Sequence, residues 1–337
     1  MINEAETLLN QPLHIQTSLV KCEDLSKRNK HNIWLKLENT QVSGSYKMRG
    51  IGGMIQWAIK EGYTELVSSS GGNAGIASST AAKKLNIPIT VVVPETTAAF
   101  MVDKIRALAN NVILWGQDWD TANEKAIELV EEKKKSGIKA LLIPPFDNKE
   151  IWAGHSTIVN EMHEQMKGVV PDLIVLSIGG GGLFSGLMQG MYRYDWKSVP
   201  ILAMETDGTA SFKACIDSGK WIAIDKIDSI AKTLGCKKIC HQAFEWIGTH
   251  KKITSKTVSD KVAVQACFDF SKSDRYMVSP SCGAALAPLY DGTIADLQSK
   301  GVLPKDRTLN VIVIVCGGNE VNFDEMASWK VKFGIQS

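Results

Sequence analysis

The chain alternates short apolar runs with helical patterns in a strict order, and this alternation constrains its fold most strongly. Runs rich in Val, Ile and Leu occupy residues 33–37, 66–68, 89–93, 112–115, 140–143, 173–178, 201–205 and 311–315. Such continuous runs are typical of parallel strands buried on both faces, and parallel strands need helical crossovers. The sequence therefore predicts an α/β protein with two open, mostly parallel sheets that carry helices on both faces.

Helical patterns fall between these strands, over residues 73–85, 98–109 and 119–135. Two breaks in composition bracket the first of the two groups of strands: the segment before residue 43 and the Pro-Pro-Phe-Asp stretch at residues 144–147. We therefore predict a small inserted α/β domain at residues 41–147. Residues 1–40 and 148–337 are predicted to form a larger domain.

The composition is that of an ordinary soluble globular protein. Of 337 residues, 44% are hydrophobic and 22% are charged, and the net charge is only +2. Interspersed charges of this kind favour neither nucleic acid nor a membrane surface as a partner. Residues 1–10 include Glu4 and Glu6 and lack the apolar core of a signal peptide, so we expect a cytoplasmic enzyme. The seven cysteines show no metal-type pairing and are predicted to be reduced thiols.

Four glycines at residues 179–182 follow an apolar run and open a helical pattern at Leu183. The N–H groups of such a loop have no intrahelical partners, and together with the positive end of the helix they bind anions. A phosphate is therefore the expected ligand. A Walker loop is excluded because no Gly-Lys-Ser/Thr follows, and no register gives a full dinucleotide fingerprint. Glu205 nevertheless ends the next strand, where a ribose-binding acid lies, so a nicotinamide cofactor remains an alternative.

A second loop of small residues separates Ser68 from a helix that begins near Asn73. Its N–H groups and hydroxyls suit a carboxylate. Upstream, Lys47 stands in the Gly/Ser-flanked turn Ser-Gly-Ser-Tyr-Lys-Met-Arg-Gly at residues 43–50, where its amine can form a Schiff base with an aldehyde. Two anion sites and one such amine fit a phosphorylated aldehyde cofactor with an α-amino acid attached to it.

Four motifs in this order resemble the pyridoxal-phosphate enzymes of fold type II, and more narrowly the L-serine dehydratase and L-threonine deaminase family. They are the Lys47 turn, Ser-Ser-Gly-Gly-Asn-Ala-Gly at residues 69–75, Gly-Gly-Gly-Gly-Leu at residues 179–183, and Val-Cys-Gly-Gly around Cys316. The resemblance extends from about Pro12 to Asn319. It implies the tryptophan synthase beta-like fold.

The resemblance also implies a role for each matching position. Lys47 would hold pyridoxal 5'-phosphate as a Schiff base and remove the substrate α-proton, Asn73 would bind the ring 3-oxygen, and Tyr46 would stack on the ring. Cys316 would face the ring nitrogen, where a thiol is a weak partner that favours prompt β-elimination. The phosphate would be bound by Gly179, Gly180, Gly181, Gly182 and Leu183. The substrate carboxylate would be bound by Ser70, Gly71, Gly72 and Asn73.

The implied activity is that of an ammonia-lyase, which converts L-serine or L-threonine to pyruvate or 2-oxobutanoate plus ammonia. A homodimer is implied as well. A monovalent cation, K⁺, would have oxygen ligands from this chain. They would be the Glu205 carboxylate and the backbone carbonyls of Gly179, Thr209, Leu234 and Cys236.

Three positions depart from the family pattern. Gly71 stands where related racemases carry a serine that returns a proton, Tyr46 replaces the commoner Phe, and Thr233 replaces a commoner Ala. The alternatives are another fold type II enzyme, catalysing β-replacement or serine racemisation, and a weakly active amino-acid-binding relative. No effector domain follows Ser337 in this sequence, so we expect an enzyme of amino-acid degradation.

Overall fold

The computed structural model describes residues 4–335. Its strands are β1 (Leu19–Lys21), β2 (Asn32–Lys36), β3 (Glu65–Ser68), β4 (Ile89–Val93), β5 (Asn111–Leu114), β6 (Ala140–Ile143), β7 (Leu173–Ser177), β8 (Ile201–Thr206), β9 (Ile253–Val258) and β10 (Asn310–Ile314). Its helices are α1 (Glu4–Asn10), α2 (Glu23–Asn29), α3 (Lys47–Lys60), α4 (Asn73–Leu85), α5 (Ala99–Arg106), α6 (Trp119–Lys135), α7 (Lys149–Gln165), α8 (Gly182–Arg193), α9 (Ser211–Ser218), α10 (His241–Thr249), α11 (Asp260–Asp274), α12 (Pro280–Leu286), α13 (Thr293–Ser299) and α14 (Phe323–Phe333). Short 3₁₀ turns lie at Glu38–Thr40, Asp207–Thr209, Lys232–Leu234 and Ala287–Leu289.

The chain forms two compact units. The first comprises the described residues up to Ile15 together with Gln41–His155, and the second comprises Gln16–Thr40 and the chain from Ser156 onwards. The predicted insert at residues 41–147 lies inside the first unit. That unit also includes two segments that the sequence placed in the large domain.

Packing explains why these two segments belong to the first unit. The side-chain amide of Gln56 in α3 donates hydrogen bonds to the carbonyl oxygens of Leu8 and Gln11, each at 2.6 Å. The start of α7 contacts the start of α3 closely, since a Cβ added to Gly50 would lie 2.5 Å from the Ile151 carbonyl oxygen. Such backbone contacts leave no sequence signal at the level of composition.

The first unit contains a four-stranded sheet in the order β5-β4-β3-β6, and all of its pairs are parallel. Consecutive residues of β3 face opposite sides of this sheet. Leu66 packs in a cluster with Met48 of α3 and Ala77 of α4, whereas Val67 packs in another cluster with Ala126 of α6. Helices therefore cover both faces, which confirms the predicted architecture for this sheet.

The second unit contains a six-stranded sheet in the order β1-β2-β10-β7-β8-β9. Only the pairing of the short edge strand β1 with β2 is antiparallel. The central strand β7 is buried along its full length, as its continuous apolar run predicts. The prediction of two mostly parallel sheets is therefore confirmed.

A buried ion pair lies within the second unit. Lys36 of β2 has no exposed side-chain surface, and its amine contacts the Glu161 carboxylate of α7 at 2.5 Å. The same amine donates to the Thr17 carbonyl oxygen at 2.8 Å and to the Gln165 side-chain oxygen at 3.0 Å. Complete hydrogen bonding of this kind is what permits a charge to be buried.

Among residues 4–335, no helix is long and apolar enough to cross a membrane. All seven cysteines are free thiols, and six of them are buried. The prediction of reduced thiols is therefore confirmed.

The close contact between α3 and α7 gives a first testable prediction. A Cβ at Gly154 would overlap the Arg49 carbonyl oxygen and lie 2.7 Å from the Gly50 Cα atom. We expect Gly154→Ala to lower the free energy of unfolding by about 1–3 kcal/mol, because the two helices must move apart. Urea unfolding of the purified protein measures this change.

Gly53→Ala in α3 is the matched control. The nearest atom to a Cβ at Gly53 is the Gly154 Cα atom at 3.9 Å, which is an ordinary contact. This variant should be as stable as the natural protein or slightly more so, since alanine favours a helix over glycine. Equal unfolding midpoints for the two variants would show that the helix contact is not tight.

Candidate active site

The predicted carboxylate-binding residues form one continuous loop in the first unit. β3 ends at Ser68, and α4 begins at Asn73 with Gly72 as its N-cap residue. The Ser70 hydroxyl accepts a hydrogen bond from the Gly72 N–H at 3.3 Å. The loop therefore leads directly into a helix N-terminus, where N–H groups and the helix dipole favour an anion.

The loop folds back onto the first turn of α4, and Gly75 makes this possible. A Cβ at Gly75 would overlap the Ser70 carbonyl oxygen. The same loop is also bonded to α6, because the buried Ser69 hydroxyl donates to the Asn123 side-chain oxygen at 2.7 Å. Gly75 was part of the recognised motif, but only the structure shows why this position excludes a side chain.

Lys47 is the first residue of α3. Its amine donates a hydrogen bond to the Pro145 carbonyl oxygen, in the segment that follows β6. Because β3 and β6 are parallel neighbours, the loop after Ser68 and the segment after Ile143 lie at the same edge of the sheet. The structure thus places the Lys47 amine and the carboxylate loop at one edge of the first unit's sheet.

Tyr46 precedes Lys47 and contacts His155. The two ring centroids are 4.9 Å apart with an interplanar angle of 59°, and the Lys47 amine lies 5.2 Å from the Tyr46 ring centroid. Tyr46 is therefore held against a second ring on one side. The sequence predicted no role for this histidine.

His155 is fully buried, and neither of its ring nitrogens has a hydrogen-bond partner among the described residues. Burial lowers its pKa well below the usual value, and the positive charges of Lys47, Arg49 and His14 lower that pKa further. The imidazole is therefore neutral near pH 7.

The predicted phosphate loop lies in the second unit, after the carboxyl end of β7. Gly181 is the N-cap residue of α8 with φ +87°, a conformation that favours glycine. A Cβ there would lie 2.6 Å from the Ala243 Cβ, and a Cβ at Gly179 would lie 3.0 Å from the Leu234 Cα. Side chains are therefore excluded at positions 179 and 181, and the N-terminus of α8 fits a phosphate group.

Cys316 lies at the same sheet edge, because it follows β10 and β10 pairs with β7 in parallel. Its sulfur is 3.6 Å from the Ser177 hydroxyl oxygen at the end of β7. Hydrogen bonding from the Cys282 thiol, together with that from Ser177, lowers the Cys316 pKa, whereas burial raises the Cys282 pKa well above its usual value. The phosphate loop and Cys316 are thus gathered at one edge of the second unit's sheet.

Glu205, the predicted carboxylate ligand of a cation, is completely buried. Its two oxygens accept hydrogen bonds at 2.8 Å from the N–H groups of Phe212 and Lys213, in the first turn of α9. Burial nevertheless raises its pKa to about 7. This carboxylate is therefore only partly compensated by protein donors.

The other predicted cation ligands lie on three segments of the second unit. Leu234 contacts Gly179, Thr209 ends the 3₁₀ turn after β8, and the Cys236 thiol donates to the Lys238 carbonyl oxygen at 2.9 Å. Within residues 4–335, no three His, Cys, Asp or Glu side chains are arranged to hold a metal ion.

Thr233, which replaces the commoner Ala of the family pattern, has a specific partner. Its hydroxyl donates to the Ser281 hydroxyl at 2.5 Å. This bond holds the side chain in one position beside the segment that contacts Gly179.

The neutral state of His155 predicts a pH dependence of stability. Its pKa lies below 6.5 in the folded protein, so below pH 6.5 the unfolded chain binds more protons at this position. Stability should therefore fall as the pH drops from about 7 to about 5, by at most about 1.4 kcal/mol per pH unit from this group. His155→Gln should lose this part of the slope in urea unfolding.

His241→Gln is the control for this measurement, because His241 is exposed at the start of α10. This variant should lose less of the slope between the same two pH values than His155→Gln does, because the replaced ring is exposed. A His155→Gln variant with an unchanged slope would mean that His155 accepts a proton in the folded protein.

Sequence comparison with known proteins identifies the family of this chain. The sequence profile of the pyridoxal-phosphate dependent enzymes matches residues 11–317. A serine dehydratase-like protein of Homo sapiens is 42% identical over 330 residues, covering 98% of this chain and 98% of that protein. The L-serine dehydratase/L-threonine deaminase of Bos taurus is 40% identical over 325 residues, covering 96% of this chain and 97% of that protein.

A solved structure gives the same result. The crystal structure of a fungal L-serine ammonia-lyase from Rhizomucor miehei matches with a TM-score of 0.88 and 33% sequence identity, covering 96% of this chain and 100% of that one. The fold of this chain thus recurs in an enzyme of similar sequence. The chain therefore belongs to the pyridoxal-phosphate dependent enzymes and has the architecture of fold type II.

Proposed function

We propose that this protein is an ammonia-lyase that converts L-serine and L-threonine to 2-oxo acids and ammonia. The observation that carries the proposal is the placement of the Lys47 amine and the anion-binding loop before Asn73 at one edge of the first unit's sheet. Relatives that are 40–42% identical and named for serine dehydration support the choice of substrate. Gly71 supports elimination over racemisation, because it carries no proton donor.

Pyridoxal phosphate, when bound, supplies an electron-withdrawing ring that stabilises negative charge at the substrate Cα atom. In the first unit, we assign to Lys47 the removal of the α-proton, to Asn73 a hydrogen bond to the ring oxygen, and to Tyr46 stacking on the ring. His155 restricts the motion of the Tyr46 ring. The substrate carboxylate is assigned to Ser70, Gly71, Gly72 and Asn73.

In the second unit, the backbone N–H groups of the glycine loop and Leu183 would bind the phosphate at the start of α8. Cys316 would be the partner of the ring nitrogen. Its thiol is a weaker partner than a carboxylate, and its hydrogen bonds with Ser177 and Cys282 orient the sulfur. Such a weak partner at the ring nitrogen would favour rapid loss of the β-hydroxyl.

Replacement of Lys47 tests the proposal. The natural protein with pyridoxal phosphate should be yellow, lose the visible band on borohydride reduction, and release 2-oxo acid from L-serine. We expect Lys47→Ala to lower kcat at least about 100-fold, because the general base is lost. Lys60→Ala, at the exposed end of the same helix, should retain full activity and is the matched control.

Other outcomes of this assay identify the alternatives. Full 2-oxo acid release by Lys47→Ala contradicts the mechanism. A visible band without turnover indicates an amino-acid-binding relative, and D-serine in the recovered substrate indicates a racemase. Nicotinamide binding without a visible band indicates the dehydrogenase alternative.

We further propose that a monovalent cation, K⁺, binds beside Glu205. A buried carboxylate with a pKa near 7 has too few protein donors to offset the cost of burying its negative charge. The segments that contain Gly179 and Leu234 offer carbonyl oxygens as further ligands. Without the cation, the folded protein binds more protons at Glu205 than the unfolded chain does between pH 4.5 and about 7. This contribution to stability is therefore complete at low pH and is lost as the pH rises through about 7.

K⁺ should accordingly raise the melting temperature more at about pH 8 than at about pH 5.5, where Glu205 is protonated. Glu205→Gln should abolish the difference, whereas Glu124→Gln, at an exposed position of α6, should keep it. Thermal unfolding with K⁺ and with tetramethylammonium as the reference cation provides the measurement. An equal effect of K⁺ at both pH values would exclude binding to the Glu205 carboxylate.

The homodimer and the cytoplasmic location belong to the same proposal. Light scattering of the purified protein tests the homodimer, and fractionation of cells that express the chain tests the location.

A further inference from the structure

Thr97 lies at the same sheet edge as the carboxylate loop of the first unit. It follows β4, which ends at Val93 and pairs with β3 in parallel. The segment from Pro94 to Thr97 turns before α5, and the Thr97 N–H donates to the Pro94 carbonyl oxygen at 3.0 Å. Loops that follow neighbouring parallel strands lie side by side, which brings this turn to Gly71.

The side chain of Thr97 occupies the space that a side chain at position 71 would need. An ideal Cβ on Gly71 would lie 2.7 Å from Thr97 Oγ1, 2.8 Å from Thr97 Cγ2 and 3.4 Å from Thr97 Cβ. The first two distances are shorter than the contacts that Cβ atoms make with other heavy atoms in proteins. The backbone of Gly71 is not in the left-handed region, so the limit at this position is space and not conformation.

The atom of Thr97 nearest to this position is its hydroxyl oxygen, and the side chain is only half-buried. The hydroxyl therefore lies against a loop of N–H groups that is assigned to a carboxylate. A hydroxyl donor next to such N–H groups adds a further hydrogen bond to a bound anion. The missing side chain of Gly71 is what allows Thr97 to approach the loop.

We propose that Thr97 is a further substrate-binding residue, whose hydroxyl donates to the carboxylate of the amino acid held by the Ser70–Gly72 loop and whose volume keeps position 71 free of a side chain. This inference rests on the proposed function, because that function places the carboxylate in the loop. It assigns a role to a residue outside all of the motifs found in the sequence.

Replacement of the hydroxyl at constant shape tests the binding role. Thr97→Val should raise KM for L-serine about tenfold and change kcat less than about twofold, since a bond to the carboxylate stabilises substrate and transition state alike. Thr97→Ser retains the hydroxyl and should retain KM. Thr96→Val is the matched control, because the exposed Thr96 hydroxyl donates to the Gln117 carbonyl oxygen, and its KM should be unchanged.

A binding measurement without turnover supports the kinetics. L-alanine carries the same carboxylate and has no leaving group, so its titration of the visible band gives a dissociation constant. We expect Thr97→Val to raise this constant about tenfold as well. An unchanged constant together with an unchanged KM would overturn the binding role.

The contact itself is tested by a double-mutant cycle on the protein without cofactor. Gly71→Ala should lower the melting temperature, because its Cβ collides with the Thr97 side chain. Adding Thr97→Ala should remove this loss, whereas adding Thr97→Val should not, since valine has the shape of threonine. Gly248→Ala, where a Cβ meets nothing within 4 Å, is the control for the glycine replacement.

The outcomes separate the two proposals. A natural protein that releases no 2-oxo acid contradicts the proposed function, and the melting cycle still reports on the contact. An active natural protein whose Thr97→Val variant keeps its KM contradicts this inference alone. Melting temperatures that add independently for Gly71→Ala and Thr97→Ala would show that Thr97 does not occupy the space at position 71.

Discussion

Both candidate loops depend on one physical constraint, which is the approach of backbone to backbone at positions where no Cβ fits. Gly75 allows the Ser70 carbonyl to rest on the first turn of α4, and Gly181 takes a positive φ against Ala243 at the start of α8. Without these contacts the N–H groups at the two helix ends would not face an open loop. The glycines therefore shape the loop to which an anion is assigned in each unit, beyond any flexibility they confer.

Parallel strand order then determines which groups meet these loops. Lys47 reaches the segment after β6, the carboxylate loop follows β3, and Thr97 follows β4, so all three lie at the carboxyl edge of one sheet. In the second unit, Cys316 and the glycine loop follow the neighbouring strands β10 and β7. An aldehyde cofactor and an amino acid require an amine, two anion sites and a partner for the ring nitrogen, and each of these is located at a sheet edge.

Sequence patterns predicted the elements that contain apolar runs or helical periodicity better than the elements that contain neither. The bounds of α4, α6, β4 and β6 agree with the patterns to the residue, because these elements are apolar along the sheet or strongly periodic along the helix. Patterns did not predict the edge strands β1 and β9. β1 has only three residues, and β9 is half-buried throughout with the polar sequence Ile-Thr-Ser-Lys-Thr-Val, so neither contains an apolar run.

The sequence by itself determined the fold class and the order along the chain of the two glycine loops and the candidate lysine, because strand periodicity and glycine motifs are local along the chain. Tertiary structure alone decided which side chains are buried and what they meet. In the sequence, Lys36 resembles any charged residue of a strand, and His155 resembles any polar residue of a helix. Both are fully buried in the structure, where Lys36 pairs with a carboxylate and His155 is neutral. Thr97 meets Gly71 only through the pairing of β3 with β4. Such contacts join residues far apart in sequence, and no local pattern encodes them.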